Sequence, residues 1–369
     1  MKGLLKKPVG ILLAAVTLLT LAGCRRQQDA AQAADGRMRV VLCIGRRNDL
    51  SFQQSAYEGL MRVGRELSQH FVVEVREMGY DTTIWESGFY EAADSGAHFV
   101  IGLGYQNKEN FETIPPQYPN TQFILFDQYV DYSLGNLNNV LTVLFDSNES
   151  GFLAGAVAAY WTVSEMAMNR DKLIGFVGAI NAVNINNFLV GYAEGAQYVD
   201  PEIRIRTAYI GDFIDTARAK DLTMAQISEG VDIIFQVASA AGNGVIEAAA
   251  ERQGVMAIGV DADQYLTLAG TELQPAIITS ALKRLDNALF KILSDYVRNP
   301  ASVPFGTTVT YGLREDAVGI VFNENLERHL SAGNIASVRG LLEKLQAGEI
   351  RVSQAGMLSA AEINAIVNP

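Results

Sequence analysis

From residue 39 onward, short apolar runs alternate with stretches in which apolar residues recur at helical spacing. Eight runs have the length of buried strands: 39–44, 71–77, 99–103, 122–126, 173–177, 204–210, 233–237 and 256–260. Amphipathic stretches lie between them, at 55–69, 150–161, 187–199, 216–229 and 244–252. Alternation of this kind predicts parallel sheets covered by helices on both faces. We therefore expect an α/β protein.

The alternating pattern falls into two blocks, 39–146 and 147–258, which predict two lobes. The apolar run 141–145 is interpreted as an extended crossover between them. A further strand at 276–280 and a helix at 282–298 are too few for a third domain. The expected division is 37–146 with about 262–300 in the first lobe, 147–261 with about 301–322 in the second, and 323–369 as a C-terminal helical segment packed on the lobes.

The start of the chain differs from the rest. Three lysines precede an apolar run at 9–21, and Leu-Ala-Gly-Cys closes the segment at Cys24. The run is shorter than the roughly 20 residues of a membrane-spanning helix, as in a signal peptide. The closing tetrapeptide resembles the lipobox of bacterial lipoproteins, which implies a lipid on Cys24. We expect an exported protein with a signal peptide at 1–23 and a flexible tether at 24–36, anchored to the inner or outer membrane through the lipid alone.

Charge and cysteine content narrow the possible functions. The formal net charge is -12, and loss of the signal peptide with its three lysines makes it -15. Such an acidic surface argues against nucleic acid as a partner. Cys43 is the only cysteine besides Cys24, so no disulfide framework is expected. Cys43 lies in an apolar run and is interpreted as a small core residue.

No catalytic, metal or cofactor motif stands out. The chain has three histidines, none of them paired at metal-ligand spacing, and it lacks HExxH, GxSxG and Walker A sequences. Gly102-Leu103-Gly104 is interpreted as a turn, because the third glycine of a dinucleotide fingerprint is missing. The sequence predicts a protein without enzymatic activity, metal or cofactor.

Polar and aromatic residues follow several of the predicted strands. In open parallel sheets, ligands bind beyond the carboxyl ends of the strands. A cleft between two lobes would bring these ends face to face, with aromatic rings for stacking and polar groups for hydrogen bonds. Taken singly, each residue also has a structural explanation as a helix cap, a core residue or a solvated side chain. The candidate binding residues are Asn48, Asp49, Tyr57, Asp127, Phe213, Gln236, Asp261 and Lys283.

The segment 48–60 resembles the DDxSFNxxAxEG motif of the basic membrane protein family, whose members are substrate-binding lipoproteins of nucleoside ABC transporters. Six later segments resemble that family's motifs FAIID, EGSFLAG, GSFxD, IFQ, IGVDSDQ and SxxKRxD, at 123–127, 148–155, 211–213, 234–236, 258–264 and 280–286. The motifs occur in unbroken order from about residue 39 to residue 355.

The resemblance implies a type I periplasmic-binding-protein fold, in which two Rossmann-like lobes are joined by three crossovers. It also implies a site in which Tyr57 and Phe213 sandwich a nucleobase and Asp127 accepts hydrogen bonds from it. The remaining roles implied are ribose binding by Asp261 and Lys283, and a polar shell of Asn48, Asp49 and Gln236. This chain departs from the family pattern at Asn48, where an acid is common, and in the Asn-rich loop 179–187.

We interpret the chain as a monomeric, lipid-anchored receptor that captures nucleosides, purine nucleosides above all, and delivers them to an ABC permease with its ATPase. One alternative is a sugar or autoinducer receptor of the same fold. Others are a ligand-sensing or adhesive surface lipoprotein, and a nucleoside hydrolase.

Overall fold

The computed structural model describes residues 36–369. The predicted signal peptide, Cys24 and nearly all of the tether lie outside the described residues. Within residues 36–369, every helix is too short or too polar to cross a membrane.

Strands and helices alternate along most of the described chain. The strands are β1 (Met38–Ile44), β2 (Phe71–Glu77), β3 (Phe99–Leu103), β4 (Gln122–Phe126), β5 (Val140–Phe145), β6 (Leu173–Gly178), β7 (Arg204–Tyr209), β8 (Ile233–Val237), β9 (Met256–Asp261), β10 (Ile277–Lys283), β11 (Thr307–Tyr311) and β12 (Val318–Ile320). The α-helices are α1 (Phe52–Glu66), α2 (Trp85–Asp94), α3 (Lys108–Thr113), α4 (Ser147–Thr162), α5 (Val183–Val199), α6 (Thr216–Ser228), α7 (Asn243–Ala250), α8 (Gln264–Thr267), α9 (Leu285–Arg298), α10 (Glu324–His329), α11 (Ala332–Ala347) and α12 (Ala360–Val367).

The strands form two six-stranded sheets, one in each lobe. Their orders are β11-β5-β4-β3-β1-β2 and β12-β10-β9-β8-β6-β7. Neighbouring strands are parallel, except that β12 runs antiparallel to β10. The chain passes between the lobes three times, after β5, after β10 and between β11 and β12. The predicted α/β architecture with three crossovers is therefore confirmed.

The structure corrects the predicted lobe boundaries. The strand β10 was assigned to the first lobe with 262–300, but it pairs with β9 in the second sheet. The strand β11 was assigned to the second lobe with 301–322, but it pairs with β5 in the first sheet. Only α9 returns to the first lobe as expected, where it packs on α1. The strand β10 stays beside β9 because the chain crosses only after it, and β11 joins the open edge of β5 that this crossover reaches, neither of which local pattern encodes.

The segment interpreted as a crossover, 141–145, is instead a strand inside the first sheet, between β4 and β11. Its main chain hydrogen-bonds on both sides, and all but one of the six residues of β5 are buried. The crossover itself is only the turn at Asp146. A short apolar run is compatible with either role, and the extent of burial distinguishes them.

The helices α4 and α5 form the closest helix contact of the second lobe. Fourteen of the sixteen residues of α4 are buried, as expected for a helix that is apolar on every side. Glycines on both helices allow the backbones to approach: a Cβ on Gly155 would lie 2.1 Å from the carbonyl oxygen of Tyr192, and one on Gly195 would lie 1.9 Å from that of Phe152. No residue other than glycine fits there without displacing a helix.

The C-terminal segment packs mainly on the second lobe. The helix α11 lies against α4, and α12 lies against α5. Between them, the Asn148 side chain donates to the carbonyl oxygen of Val352 at 3.0 Å. The Arg314 side chain, in the third crossover, donates to the carbonyl oxygen of Gln346 at 3.2 Å. The C-terminal segment thus packs on the second lobe and also contacts the third crossover between the lobes.

Candidate functional site

A cleft separates the carboxyl ends of the strands of the two sheets. Its volume is about 1140 Å³, including the part open to solvent, which is sufficient for a small organic ligand. Both lobes contribute polar and aromatic side chains. Those on the first lobe include Asp49, Phe52, Trp85, Tyr105 and Asp127, and those on the second include Asn184, Phe213, Ser239, Asp261 and Lys283.

Two aspartates occupy equivalent positions in the lobes. Asp127 directly follows β4, and Asp261 ends β9, which are the fourth strands from the β2 and β7 edges of their sheets. Both have φ of 64°, in the left-handed region. Non-glycine residues adopt this conformation at a cost of roughly 1–2 kcal/mol, although aspartate tolerates it better than most. The shared conformation turns each chain sharply at the cleft.

Asp127 connects the lobes through its side chain. Its Oδ2 accepts hydrogen bonds from Nζ of Lys283 at 3.0 Å and from Nδ2 of Asn184 at 2.9 Å. Lys283 ends β10, and Asn184 lies in the first turn of α5, so both donors come from the second lobe. The Asn-rich loop, which departs from the family pattern, therefore supplies a direct contact across the cleft.

Lys283 is only 3% exposed and lies among aromatic rings. Its Nζ is 5.2 Å from the ring centroid of Phe52, 5.1 Å from that of Phe188 and 6.0 Å from that of Phe145. The negative faces of such rings attract a cation. Together with Asp127, they provide a setting in which a buried ammonium group is stable.

Asp261 is 6% exposed and has partners from both lobes. The hydroxyl of Ser51 donates to its Oδ2 at 2.6 Å, and Lys283 Nζ lies 3.9 Å from its Oδ1. Burial raises the pKa of Asp261 to about 6, although Lys283 and the Ser51 hydroxyl oppose the shift. The carboxylate is therefore mostly ionised at neutral pH and able to accept hydrogen bonds from a ligand.

Asp49 lines the cleft, but its carboxylate is already hydrogen-bonded within the protein. It accepts backbone N–H bonds from Gln53 at 2.9 Å and Gln54 at 3.0 Å at the start of α1. The Ser239 hydroxyl of the second lobe donates to it at 2.8 Å. Burial is the largest influence on its pKa, which is raised despite these hydrogen bonds. Asp49 therefore caps a helix and joins the lobes.

Gln236 lies behind the cleft rather than on its surface. The residue has no exposed area, and its Nε2 donates to Oε1 of Gln264 at 2.6 Å. The Nε2 of Gln264 in turn donates to the carbonyl oxygen of Leu50 at 3.3 Å. Gln236, predicted in the polar shell, therefore does not line the cleft; it contacts Gln264, which bonds to the backbone just before α1.

Asn48 and Tyr57 are not brought into the cleft. Asn48 is exposed outside it, and Tyr57 lies beside Arg47, whose guanidinium is 5.5 Å from its ring centroid. Phe52 is the aromatic residue of α1 that lines the cleft. Tyr57 lies five positions after Phe52, which corresponds to a rotation of roughly 140° around a helix. The two rings cannot share one face.

The sequence analysis did not select several residues that line the cleft. Tyr105 and Phe213 face each other from the two lobes, with ring centroids 6.1 Å apart and planes inclined by 34°. Phe52 stands inside the recognised 48–60 segment, and Tyr105 follows β3 directly after the turn at Gly104. The rule that selected the other candidates, proximity to the carboxyl end of a strand, would have found both. Asn184 follows β6 and lies in the Asn-rich loop 179–187, which was noted only as a departure from the family pattern.

Within residues 36–369, no group of three or more His, Cys, Asp or Glu side chains is arranged to hold a metal ion. The cleft is instead a polar and aromatic pocket with one ammonium group, suited to an organic ligand that donates and accepts hydrogen bonds.

Comparison with known proteins identifies relatives over most of the chain. Residues 38–354 match the family Bmp, described as ABC transporter substrate-binding protein PnrA-like. Basic membrane protein A2 of Borrelia garinii subsp. bavariensis is 30% identical over 78% of this chain and 80% of its own length. The ABC transporter nucleoside-binding protein BmpA of Lactococcus lactis subsp. cremoris is 27% identical over 84% of this chain and 89% of its own.

The fold also matches solved structures. An ABC transporter system solute-binding protein from Aeropyrum pernix K1 superposes with a TM-score of 0.75 at 24% identity, covering 89% of this chain and 98% of the other. The family resemblance and the periplasmic-binding-protein fold predicted from the sequence are both confirmed. The chain belongs to the Bmp family of PnrA-like ABC transporter substrate-binding proteins, whose members bind solutes and are not enzymes.

Proposed function

We propose that this chain is the lipid-anchored, nucleoside-binding component of an ABC transporter. It captures nucleosides, purine nucleosides above all, in the cleft and delivers them to a permease with its ATPase. The observation that carries the proposal is the combination of facing aromatic rings with Asp127, Asp261 and Lys283 in one cleft. The name of the Lactococcus lactis relative, a nucleoside-binding protein, supports it.

The nucleobase would lie between aromatic rings of the two lobes. Phe213 on the second lobe and either Phe52 or Tyr105 on the first are the candidates, with Phe52 replacing Tyr57 in the predicted pair. A base sandwiched between two rings requires a ring separation of about 7 Å, twice the contact distance of roughly 3.5 Å. The 6.1 Å between Tyr105 and Phe213 is within an ångström of that value.

The side chains of Asp127, Asp261 and Lys283 would hold the ribose and the edge of the base. Asp127 and Asp261 accept hydrogen bonds from hydroxyl or N–H groups, and Lys283 donates to oxygen. Of the charged side chains that line the cleft, four are aspartates and only Lys283 is a cation. A phosphate group would face this excess of negative charge, so we expect nucleosides to bind in preference to nucleotides.

Binding would act through closure of the lobes. Contacts to both lobes stabilise a closed arrangement, and the three crossovers are short enough to serve as a hinge. Only the closed receptor would present both lobes correctly to the permease. A lipid on Cys24 would keep the receptor at the membrane, and the tether at 24–36 would leave it free to dock.

The ligand class is tested by calorimetric titration of the purified full chain with inosine, guanosine, adenosine and uridine. We expect saturable binding of at least one purine nucleoside and weaker binding of its 5′-monophosphate. Binding of a free sugar without any nucleoside would refute the proposal and favour the sugar-receptor alternative. Release of free base during incubation would instead indicate a hydrolase.

Phe213→Ala is expected to weaken nucleoside binding by about 1–3 kcal/mol, because base–aromatic stacking contributes that much per base. This corresponds to roughly a 5- to 150-fold rise in Kd by calorimetry. Tyr57→Ala is the matched control, since Tyr57 is an aromatic residue outside the cleft lining. Equal effects of the two substitutions would contradict the stacking role of Phe213.

A further inference from the structure

A second pocket lies on the second lobe, at the edge of the sheet opposite the cleft. It is lined by Trp161, Met166, Met168, Met256 and His329, among others. Met256 is the first residue of β9, whereas Asp261 at the cleft is the last. The two sites are therefore separated by the length of a strand, and a ligand in one does not contact the other.

Three of the lining residues are methionines, and core packing does not account for two of them. Met166 is 52% exposed and Met168 is 39% exposed, whereas Met256 is only 5% exposed. A thioether is a neutral, polarizable sulfur donor. Two exposed methionines that line one pocket offer such donors to a ligand in solvent.

A backbone hydrogen bond holds the segment that carries Met166 and Met168 next to the start of β9. The N–H of Met168 donates to the carbonyl oxygen of Gly254 at 2.9 Å. Gly254 has φ of 75°, and a Cβ there would lie 2.7 Å from the nitrogen of Met168. Glycine thus permits a close approach that brings Met168 next to the strand on which Met256 stands.

His329 presents one ring nitrogen with a free lone pair. Its Nδ1 lies 2.7 Å from the carbonyl oxygen of Asn325. A carbonyl oxygen only accepts, so Nδ1 is the donor in this contact and Nε2 is the nitrogen that can bind a metal. Histidines that bind metals usually donate their other N–H to a carbonyl or carboxylate in this way.

Trp161 completes the aromatic wall of the pocket. Its ring meets that of His329 edge to face, with centroids 5.4 Å apart and planes inclined by 71°. Its Nε1 donates to the carbonyl oxygen of Asp232 at 3.1 Å, which holds the indole in one orientation. The face of an indole attracts cations more strongly than that of any other aromatic side chain.

We propose that this pocket binds a soft monovalent cation of the Cu(I) class. The sulfur atoms of Met166 and Met168 and the Nε2 of His329 are the ligands, and Trp161 lies beside the ion. Thioether and imidazole groups select Cu(I) over hard cations, which prefer carboxylate and water oxygens. The one carboxylate lining the pocket, that of Glu165, is 92% exposed and is paired with Arg170.

The test uses Ag+ alone, which has the same charge and softness and does not change oxidation state in the assay. All samples are the full chain carrying Cys24→Ser, because a free thiol at Cys24 would itself bind Ag+. We expect equilibrium dialysis to give one tightly bound Ag+ per chain. The double variant Met166→Leu/Met168→Leu and the single variant His329→Gln should each bind at least about tenfold more weakly.

Methionine-to-leucine changes conserve volume, so the double variant is expected to fold. Met357→Leu is the matched control, because Met357 is 82% exposed and does not line the pocket. It should bind Ag+ as the parent does. As a second measurement, Ag+ should quench the fluorescence of Trp161 in a Trp85→Phe background, where it is the only tryptophan.

Three results would overturn the assignment. One is failure of the parent chain to bind Ag+. Another is equal binding by the parent and the Met166→Leu/Met168→Leu variant. The third is displacement of Ag+ by Mg²⁺ in modest excess, which would indicate a site of oxygen ligands.

Discussion

Replacing Lys283 with methionine is expected to lower the free energy of unfolding by about 3–5 kcal/mol, the usual cost of leaving a buried charge without its partner. Lys283 is 3% exposed and is bonded to Asp127 at 3.0 Å. Methionine preserves the stem among the aromatic rings but removes the charge that both Asp127 and Asp261 face. Urea denaturation at neutral pH measures the loss.

The matched control is Lys291→Met. Lys291 also forms an ion pair, with Asp295 at 2.7 Å, but its side chain is 44% exposed. Exposed pairs of this kind contribute roughly 0–1 kcal/mol. A loss at Lys283 no larger than the loss at Lys291 would mean that water or a neighbouring group compensates the two aspartates.

The deficit of the Lys283→Met variant should depend on pH. A carboxyl group whose pKa is raised in the folded state stabilises the protein at low pH. This contribution is lost as pH rises through the folded pKa. In the native protein, burial already raises the pKa of Asp261 to about 6, and loss of Lys283 removes a group that opposes this shift. We therefore expect the deficit to be greatest above about pH 6 and to shrink toward about pH 4, where carboxyl groups become protonated.

Gly195→Ala is expected to destabilise the protein by about 3 kcal/mol or more. The new Cβ would lie 1.9 Å from the carbonyl oxygen of Phe152, on the facing helix α4. Because the obstacle is backbone and not a flexible side chain, α4 and α5 would have to move apart, at the cost typical of severe overpacking. The shift in the midpoint of thermal or urea unfolding measures the effect.

Gly340→Ala provides the comparison. Gly340 lies within α11, and a Cβ there meets nothing within 4 Å. The substitution should stabilise the protein by roughly 0.5–1 kcal/mol, because alanine has the higher helix propensity. A Gly195→Ala protein as stable as the Gly340→Ala protein would show that α4 and α5 tolerate a wider spacing.

Much of the cleft follows from strand positions alone. Asp127, Asp261 and Lys283 end or directly follow apolar runs, and the carboxyl ends of parallel strands meet at one edge of a sheet. Their placement beside the cleft could therefore be anticipated. The hydrogen bonds that Asp127 accepts from Lys283 and Asn184 could not, because both cross between the lobes and depend on how far the lobes close.

Phe52 and Tyr57 illustrate where sequence reasoning stops. Both lie in a segment that was recognised, on the helix that begins at the cleft. Which of the two rings lines the cleft depends on the rotation of α1 about its axis. That rotation is set by the residues that α1 buries, such as Leu60 and Val63, and by its contact with α9 from the far end of the chain.

The sequence by itself determined the alternation of strands and helices, the presence of two lobes and the residues at the strand ends. These properties depend on local periodicity, which neighbouring residues encode directly. Only the tertiary structure decided that β10 stays in the second sheet while β11 returns to the first, that Phe52 and not Tyr57 lines the cleft, and that Asp49 and Gln236 are used by the protein's own hydrogen bonds. Those outcomes depend on contacts between segments far apart in the chain, and the free energy of such contacts is not a property of either segment alone.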